Sequence, residues 1–253
     1  MATGVLSASS TILLLQLISL LSYATSQTVY VDQKMVLYCP ASNTTASNKF
    51  ISNLNYLFNQ TLYSQAGKSL YYNATEGSFP DTAYGLYLCK YNISFQSCQK
   101  CIVTAVNAVM QKCNGTKNAI IWYEECMVRY SDDPLPIMDT SIVLCQSAVL
   151  SVYIVRNVSV PYNVTQTLAQ SFEDVIAMPS LSSSSYATKE TSISSLYKLH
   201  SYAQCIPVLS KEDCRACLSK SLVTVSTCFG QQQETGYGTI IRPSCTIGYE
   251  LYY

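Results

Sequence analysis

The sequence predicts an α+β protein of two tandem, disulfide-stapled units, each with two helices packed on one face of an antiparallel sheet. Three observations predict it. Twelve cysteines divide six and six, and each set holds the same C-x8-C-x2-C run: "CKYNISFQSCQKC" from Cys89 to Cys101 and "CIPVLSKEDCRAC" from Cys205 to Cys217. The flanking gaps correspond as well, at 49, 8, 2, 11 and 12 residues in the first set and 59, 8, 2, 10 and 16 in the second, which marks an internal repeat. In both halves, apolar residues at helical spacing lie between stretches that alternate like strands.

The chain opens with an apolar run, Thr11 to Leu21, followed by the small residues Ala24 and Ser26. That layout predicts a secretory signal peptide over residues 1–26, because the run is short of the roughly 20 residues that span a bilayer. No later stretch qualifies as a membrane span.

The first unit, residues 27–133, begins with "TVYVDQKMVLYC", which alternates as a strand ending at Cys39. In "SNKFISNLNYLFNQTLYSQA", Phe50, Leu54, Leu57, Phe58 and Leu62 recur at three and four and predict a helix. A short strand, "TAYGLYLC", leads to Cys89. A second helix starts near Ser94 and carries Ile102, Ala105, Val106, Val109 and Met110 on one face. The strand-like "AIIWYEECMVRY" closes the unit. Two prolines and three aspartates in "SDDPLPIMDT", residues 131–140, suit a connector.

The second unit, residues 140–253, repeats the order. Leu168, Phe172, Val175 and Ile176 form the counterpart of the first helix, with Pro179 beyond it as a stop. Ser210 is an N-cap with Asp213 at the third helical position, ahead of Leu218, Leu222 and Val225. "GTIIRPSCTIGYELYY" supplies the closing strands. Each element has one apolar face to bury, and helices on one sheet face is the simple solution.

Charge excludes one class of partner. Lysine plus arginine and aspartate plus glutamate number 15 each, with no basic run of five, so no positive stripe offsets a phosphate backbone. With 12% charged residues and 21 tyrosines, the surface is polar but uncharged, which suits a chain kept soluble by sugar. N-x-S/T sequons stand at Asn43, Asn59, Asn73, Asn92, Asn114, Asn157 and Asn163, and none follows. One glycosylated half and one bare half are expected.

Three chemistries compete for the cysteines. A C-x-x-C at a helix start can lower a thiol pKa for redox work, but this leaves four duplicated companions unused. Zinc sites built from four cysteines use two close pairs, whereas each unit has one close pair and His200 is the sole histidine. Disulfides fit units near this size exported into an oxidising space. Spacing alone chooses no connectivity.

With its outer cysteines in place twice, the C-x8-C-x2-C core resembles the plant cysteine-rich repeat secretory proteins, whose unit is similar to the ginkgo seed antifungal domain ginkbilobin-2 and is also called DUF26. The resemblance covers about Thr28 to Tyr253. It implies a five-stranded antiparallel sheet under the two helices. It also implies the pairings Cys39–Cys113, Cys89–Cys98, Cys101–Cys126, Cys145–Cys228, Cys205–Cys214 and Cys217–Cys245.

The ginkgo domain binds mannose through an asparagine, an arginine and a glutamate. The corresponding positions hold Pro40, Ile120 and Ser131 in the first unit, and neither proline nor isoleucine offers a side-chain hydrogen bond. In the second unit they hold Gln146, Thr239 and Glu250, where only the glutamate matches. Arg242 lies nearby but three residues displaced, which changes strand face. These three positions are the candidate carbohydrate site.

Other candidates carry less. Trp122 in its strand reads as core rather than as a sugar platform. His200 has no serine–aspartate or cysteine arrangement beside it that makes a catalytic base. Glu124 and Glu125, read as strand residues, point to opposite faces and so are not taken as the two carboxylates of a glycosidase. No catalytic residue, cofactor or metal is expected. The reading is a secreted, non-enzymatic binding module of the plant apoplast, with an extracellular protein or a cell-wall glycan as partner. The alternative is a mannose-binding antifungal defence lectin.

Overall fold

The computed structural model describes residues 28–32, 35–40, 45–149, 164–178, 184–193, 197–229 and 235–252. The signal peptide expected at residues 1–26, Pro179 and the sequons at Asn43, Asn157 and Asn163 lie outside them.

In the first unit, β1 (Thr28–Asp32) and β2 (Met35–Cys39) pair antiparallel, with Asp32 opposite Met35. The single strand expected across this stretch is therefore two, and in the sequence the polar Asp32, Gln33 and Lys34 break the alternation between them. Ser47 caps α1 (Asn48–Tyr56) by accepting from the Phe50 amide at 3.0 Å. The helix runs on through a π-helical stretch (Leu57–Leu62) into α2 (Tyr63–Ala66). Phe50, Leu54, Leu57, Phe58 and Leu62 all face the core. A hairpin of β3 (Tyr71–Glu76) and β4 (Ala83–Cys89) follows. Next come α3 (Phe95–Lys112), capped by Ser94, and the hairpin β5 (Ala119–Tyr123) and β6 (Cys126–Ser131).

The second unit contains β7 (Leu144–Val149), α4 (Val164–Ala177), β8 (Tyr186–Ser192) and β9 (Lys198–Cys205). It continues with α5 (Lys211–Leu222), the short α6 (Val225–Phe229), β10 (Thr235–Ile241) and β11 (Cys245–Tyr252). Ser210 accepts from the Asp213 amide at 3.0 Å, and its hydroxyl donates to the Asp213 carboxylate at 2.9 Å. Val225, grouped from sequence with the second helix, belongs to α6.

The strand order β7-β10-β11-β9-β8 repeats the order β2-β5-β6-β4-β3 of the first sheet. Both units are α+β with helices on a five-stranded antiparallel sheet, and β1 adds a sixth strand at one edge of the first. On the helix side of that sheet, Leu37, Ile121, Val128 and Tyr87 stand directly opposite one another and are fully buried.

Disulfides join Cys39–Cys113, Cys89–Cys98 and Cys101–Cys126 in the first unit, and Cys145–Cys228, Cys205–Cys214 and Cys217–Cys245 in the second. In the first unit each ties a strand to α3 or to Cys113 just past its end; in the second, Cys205–Cys214 and Cys217–Cys245 tie strands to α5, and Cys145–Cys228 ties β7 to α6. Closing a loop of this length, with the partners 74 residues apart for Cys39–Cys113, stabilises by roughly 4 kcal/mol in the chain-entropy picture.

The opposite face of the first sheet is also apolar. Val36, Trp122, Met127 and Leu88 form one cross-strand row, and Tyr38, Ile120, Arg129 and Leu86 form the next. Val36, Leu86, Ile120, Trp122 and Met127 bury themselves against Ile206 and Ile241 of the second unit. The two units thus dock through the sheet faces that carry no helices.

The connector reinforces that docking. Arg129 of β6 donates to the Asp139 carboxylate at 2.6 Å, and the Asp139 amide donates to the Ser244 hydroxyl at 2.8 Å. Asp139 therefore holds both units. Arg242 completes the clasp from the other side, donating to the Ser221 hydroxyl and to the carbonyls of Thr140 and Lys220 at 2.9–3.0 Å. The Lys220 carbonyl lies in the last turn of α5, where the helix dipole favours a cation.

Candidate binding site between the two units

A cleft of about 90 Å³ opens where the two sheets meet. Gln146, Thr239 and Glu250 line it from the second unit, and Trp122, Glu124 and Glu125 line it from the first. Strand register brings the first three together. Gln146 on β7 stands opposite Thr239 on β10, and Thr239 stands opposite Gly248 on β11, two residues before Glu250. With side chains alternating along a strand, all three share the face that carries no helices.

Two of the three are already engaged. Thr239 is only 8% exposed, and its hydroxyl hydrogen-bonds the Tyr202 phenol at 2.8 Å. Glu250 forms an ion pair with Lys90 of the first unit at 3.2 Å, and the Lys90 ammonium also lies 5.1 Å from the centre of the Tyr202 ring. Burial pushes the Tyr202 phenol up to about 12, and the nearby Glu250 and Glu124 charges add to the shift.

Gly248 makes this arrangement possible. Tyr202 and Thr239 flank it on either side in register, and the tyrosine ring crosses it to reach the threonine. A Cβ on Gly248 would come within 2.5 Å of the ring and 2.9 Å of the Gly238 carbonyl.

Arg242 does not substitute for the missing arginine. It lies past the end of β10, is buried, and spends its donors on Ser221, Thr140 and Lys220. In the first unit, Ile120 is part of the inter-unit cluster, while Pro40 and Ser131 lie at the ends of their strands.

Trp122 is 4% exposed and packs in the inter-unit cluster, so it is core between units rather than core within one. Glu124 and Glu125 require a correction. They form the turn between β5 and β6, where strand alternation does not apply, and both are exposed and line the cleft. His200 is half-buried, opposite Glu190 on β8 and Glu250 on β11. Among the described residues no group of three acidic, histidine or cysteine side chains is placed to hold a metal ion.

Sequence reasoning missed the residues that build the contact. The Gln204 amide donates to the Cys89 carbonyl at 2.9 Å and accepts from the Tyr91 amide at 3.2 Å, bridging the units as a strand would. Tyr91 in turn stacks on Tyr186, with centroids 4.8 Å apart and planes 16° from parallel. A usable signal lay in "AIIWY", which is apolar at successive positions and therefore buried on both strand faces.

Residues 38–133 and 156–252 both match the family described as salt stress response/antifungal. The chain belongs to that family. Over 240 residues it is 30% identical to cysteine-rich repeat secretory protein 9 of Arabidopsis thaliana, covering 92% of this chain and 70% of that protein. Putative cysteine-rich repeat secretory protein 7 of the same plant is 32% identical over 241 residues, with coverage of 92% and 80%. Cysteine-rich receptor-like protein kinase 25 is 31% identical over 222 residues, but the chain spans only 31% of that kinase's length.

Among solved structures, the chain is similar to the tandem DUF26 ectodomain of the Arabidopsis thaliana cysteine-rich receptor-like protein PDLP8. The TM-score is 0.65 at 20% identity, covering 85% of this chain and 96% of that one. The PDLP5 ectodomain gives 0.62 at 21% identity, covering 88% and 99%. At such identities the likeness is one of fold. The two salt stress response/antifungal units of this chain are of the plant cysteine-rich secretory and receptor-like kind, extracellular, and share the fold of tandem DUF26 ectodomains. Among the described residues, no helix is long and apolar enough to cross a membrane.

Proposed function

We propose that the chain acts in the plant extracellular space as a rigid two-unit binding module for a protein or a cell-wall polysaccharide. The observation that carries this reading is the engagement of the cleft residues within the chain itself. Thr239 is tied to Tyr202 and Glu250 to Lys90. A sugar at the ginkgo-like position has to displace both, and it meets no arginine there. The units instead spend those side chains on holding one another, which leaves the outward surfaces of the tandem for recognition. Fixed relative placement of two surfaces raises the effective concentration for a partner that touches both.

A mannose-binding antifungal lectin is the second reading. Gln146, Thr239 and Glu250 lining one cleft is the observation that favours it. The two readings separate on a glycan array carrying mannans and plant and fungal wall fragments, probed with the oxidised, glycosylated protein. Mannose-dependent binding that Glu250→Ala abolishes selects the lectin. Binding to other wall fragments, or to none by folded protein, selects the module reading and directs the search to polysaccharide or protein partners respectively.

A further inference from the structure

The stacked pair Tyr91–Tyr186 points to a modification site. Tyr91 sits in the turn after β4 of the first unit, and Tyr186 opens the edge strand β8 of the second. Their rings are 4.8 Å apart between centroids and 16° from parallel. Tyr186 is 37% exposed, so an oxidant in solution reaches the pair. All six disulfides lie within units, and no covalent bond other than the main chain joins one unit to the other.

We infer that Tyr91 and Tyr186 are an oxidative cross-linking site, at which hydrogen peroxide, acting through a peroxidase, joins the two units as a dityrosine. Each phenol loses one electron and one proton to give a phenoxyl radical with spin on the ring carbons ortho to oxygen. The two ortho carbons couple to form one carbon–carbon bond. The hydrogen on each coupled carbon then moves to its oxygen and restores aromaticity. Two phenols and one peroxide yield one biphenol and two waters. Holding the rings in contact makes coupling intramolecular, which favours it over reaction between molecules. Because Tyr186 lies at a sheet edge, its ring has room for the twist that the new bond imposes.

The test treats the full-length oxidised protein, at high dilution, with hydrogen peroxide and a haem peroxidase. The expected product is a monomer lighter by two hydrogen atoms, with dityrosine fluorescence and a cross-linked peptide pair containing Tyr91 and Tyr186. Tyr91→Phe and Tyr186→Phe keep a ring for stacking but remove the phenol, and each is expected to abolish the intramolecular product. Fluorescence that persists undiminished in both variants overturns the inference. So does a wild-type monomer that stays unlinked while its exposed tyrosines oxidise.

Discussion

The side-chain amide of Gln204 sits against the backbone of Cys89 and Tyr91, accepting from the Tyr91 N–H at 3.2 Å and donating to the Cys89 carbonyl at 2.9 Å. One residue on β9 thereby satisfies two main-chain groups at the end of β4. Removing it with Gln204→Ala leaves both without that partner. The expected cost is about 1–3 kcal/mol in chemical denaturation, with faster hydrogen exchange at residues 89–91. Gln204→Glu keeps the acceptor for Tyr91 but loses the donor to Cys89, so it should fall between wild type and alanine.

Trp122 is buried between the units and not within one. Trp122→Ala should therefore cost about 3–5 kcal/mol, and the loss should fall on the docking. Calorimetry is expected to change from a single transition to two, because each disulfide-stapled unit retains its own core. A single transition shifted down without splitting would count against docking as the site of the loss.

Asp139 supplies a pH dependence. Burial raises its carboxyl, but hydrogen bonds from Ser141 and the charge of Arg129 outweigh it and hold the group below its ordinary value of 3.8. A depressed folded pKa means stability that is complete above the unfolded value and lost as pH falls through the folded one. Asp139→Asn should therefore lower the unfolding temperature at pH 6. The gap to wild type should close only below about pH 4. An unchanged gap down to pH 2 would show that the ion pair is not the cause.

Gly248 carries the Tyr202 ring across the strand. Gly248→Ala forces the ring aside and should cost about 1–3 kcal/mol by overpacking. Combining it with Tyr202→Leu should be much less than additive, since the second change removes the atoms that the new methyl meets. Full additivity would locate the strain at the Gly238 carbonyl instead.

The four described sequons, Asn59, Asn73, Asn92 and Asn114, are all exposed and all in the first unit. Protein expressed through a secretory pathway should carry glycans there, read as mass lost from first-unit peptides on enzymatic deglycosylation. Asn73, opposite Leu86 on β4, and Asn92, next to Tyr91, border the contact between the units.

Much of this architecture was legible because buried periodicity is loud. The helical series at Phe50–Leu62 and Leu168–Ile176 each have one apolar face, and the cysteine duplication marks two units. β3 and β8 escaped notice because they are edge strands. "YATKETS" shows only one fully buried side chain, Ala187, so it offers little alternation to detect. The disulfide pairing came through resemblance, since spacing admits other connectivities. The candidate site was legible as three positions but not as a place, because Lys90, Tyr202 and Gln204 reach it only once two sheets meet. The Glu124–Glu125 turn was misread as strand because the apolar runs on both sides continue without a glycine or proline between them.

That every disulfide closes within its own unit has a consequence for how the protein is made. On a ribosome feeding the chain N-terminus first, all six cysteines of unit one are available before those of unit two emerge. Unit one can be oxidised to completion with no risk of waiting on a distant thiol. Its sheet then presents Val36, Ile120, Trp122 and Met127 bare until the second sheet arrives to cover them. The nascent protein thus passes through a stage that is covalently mature yet adhesive, and the second unit serves the first as a built-in, permanently attached chaperone.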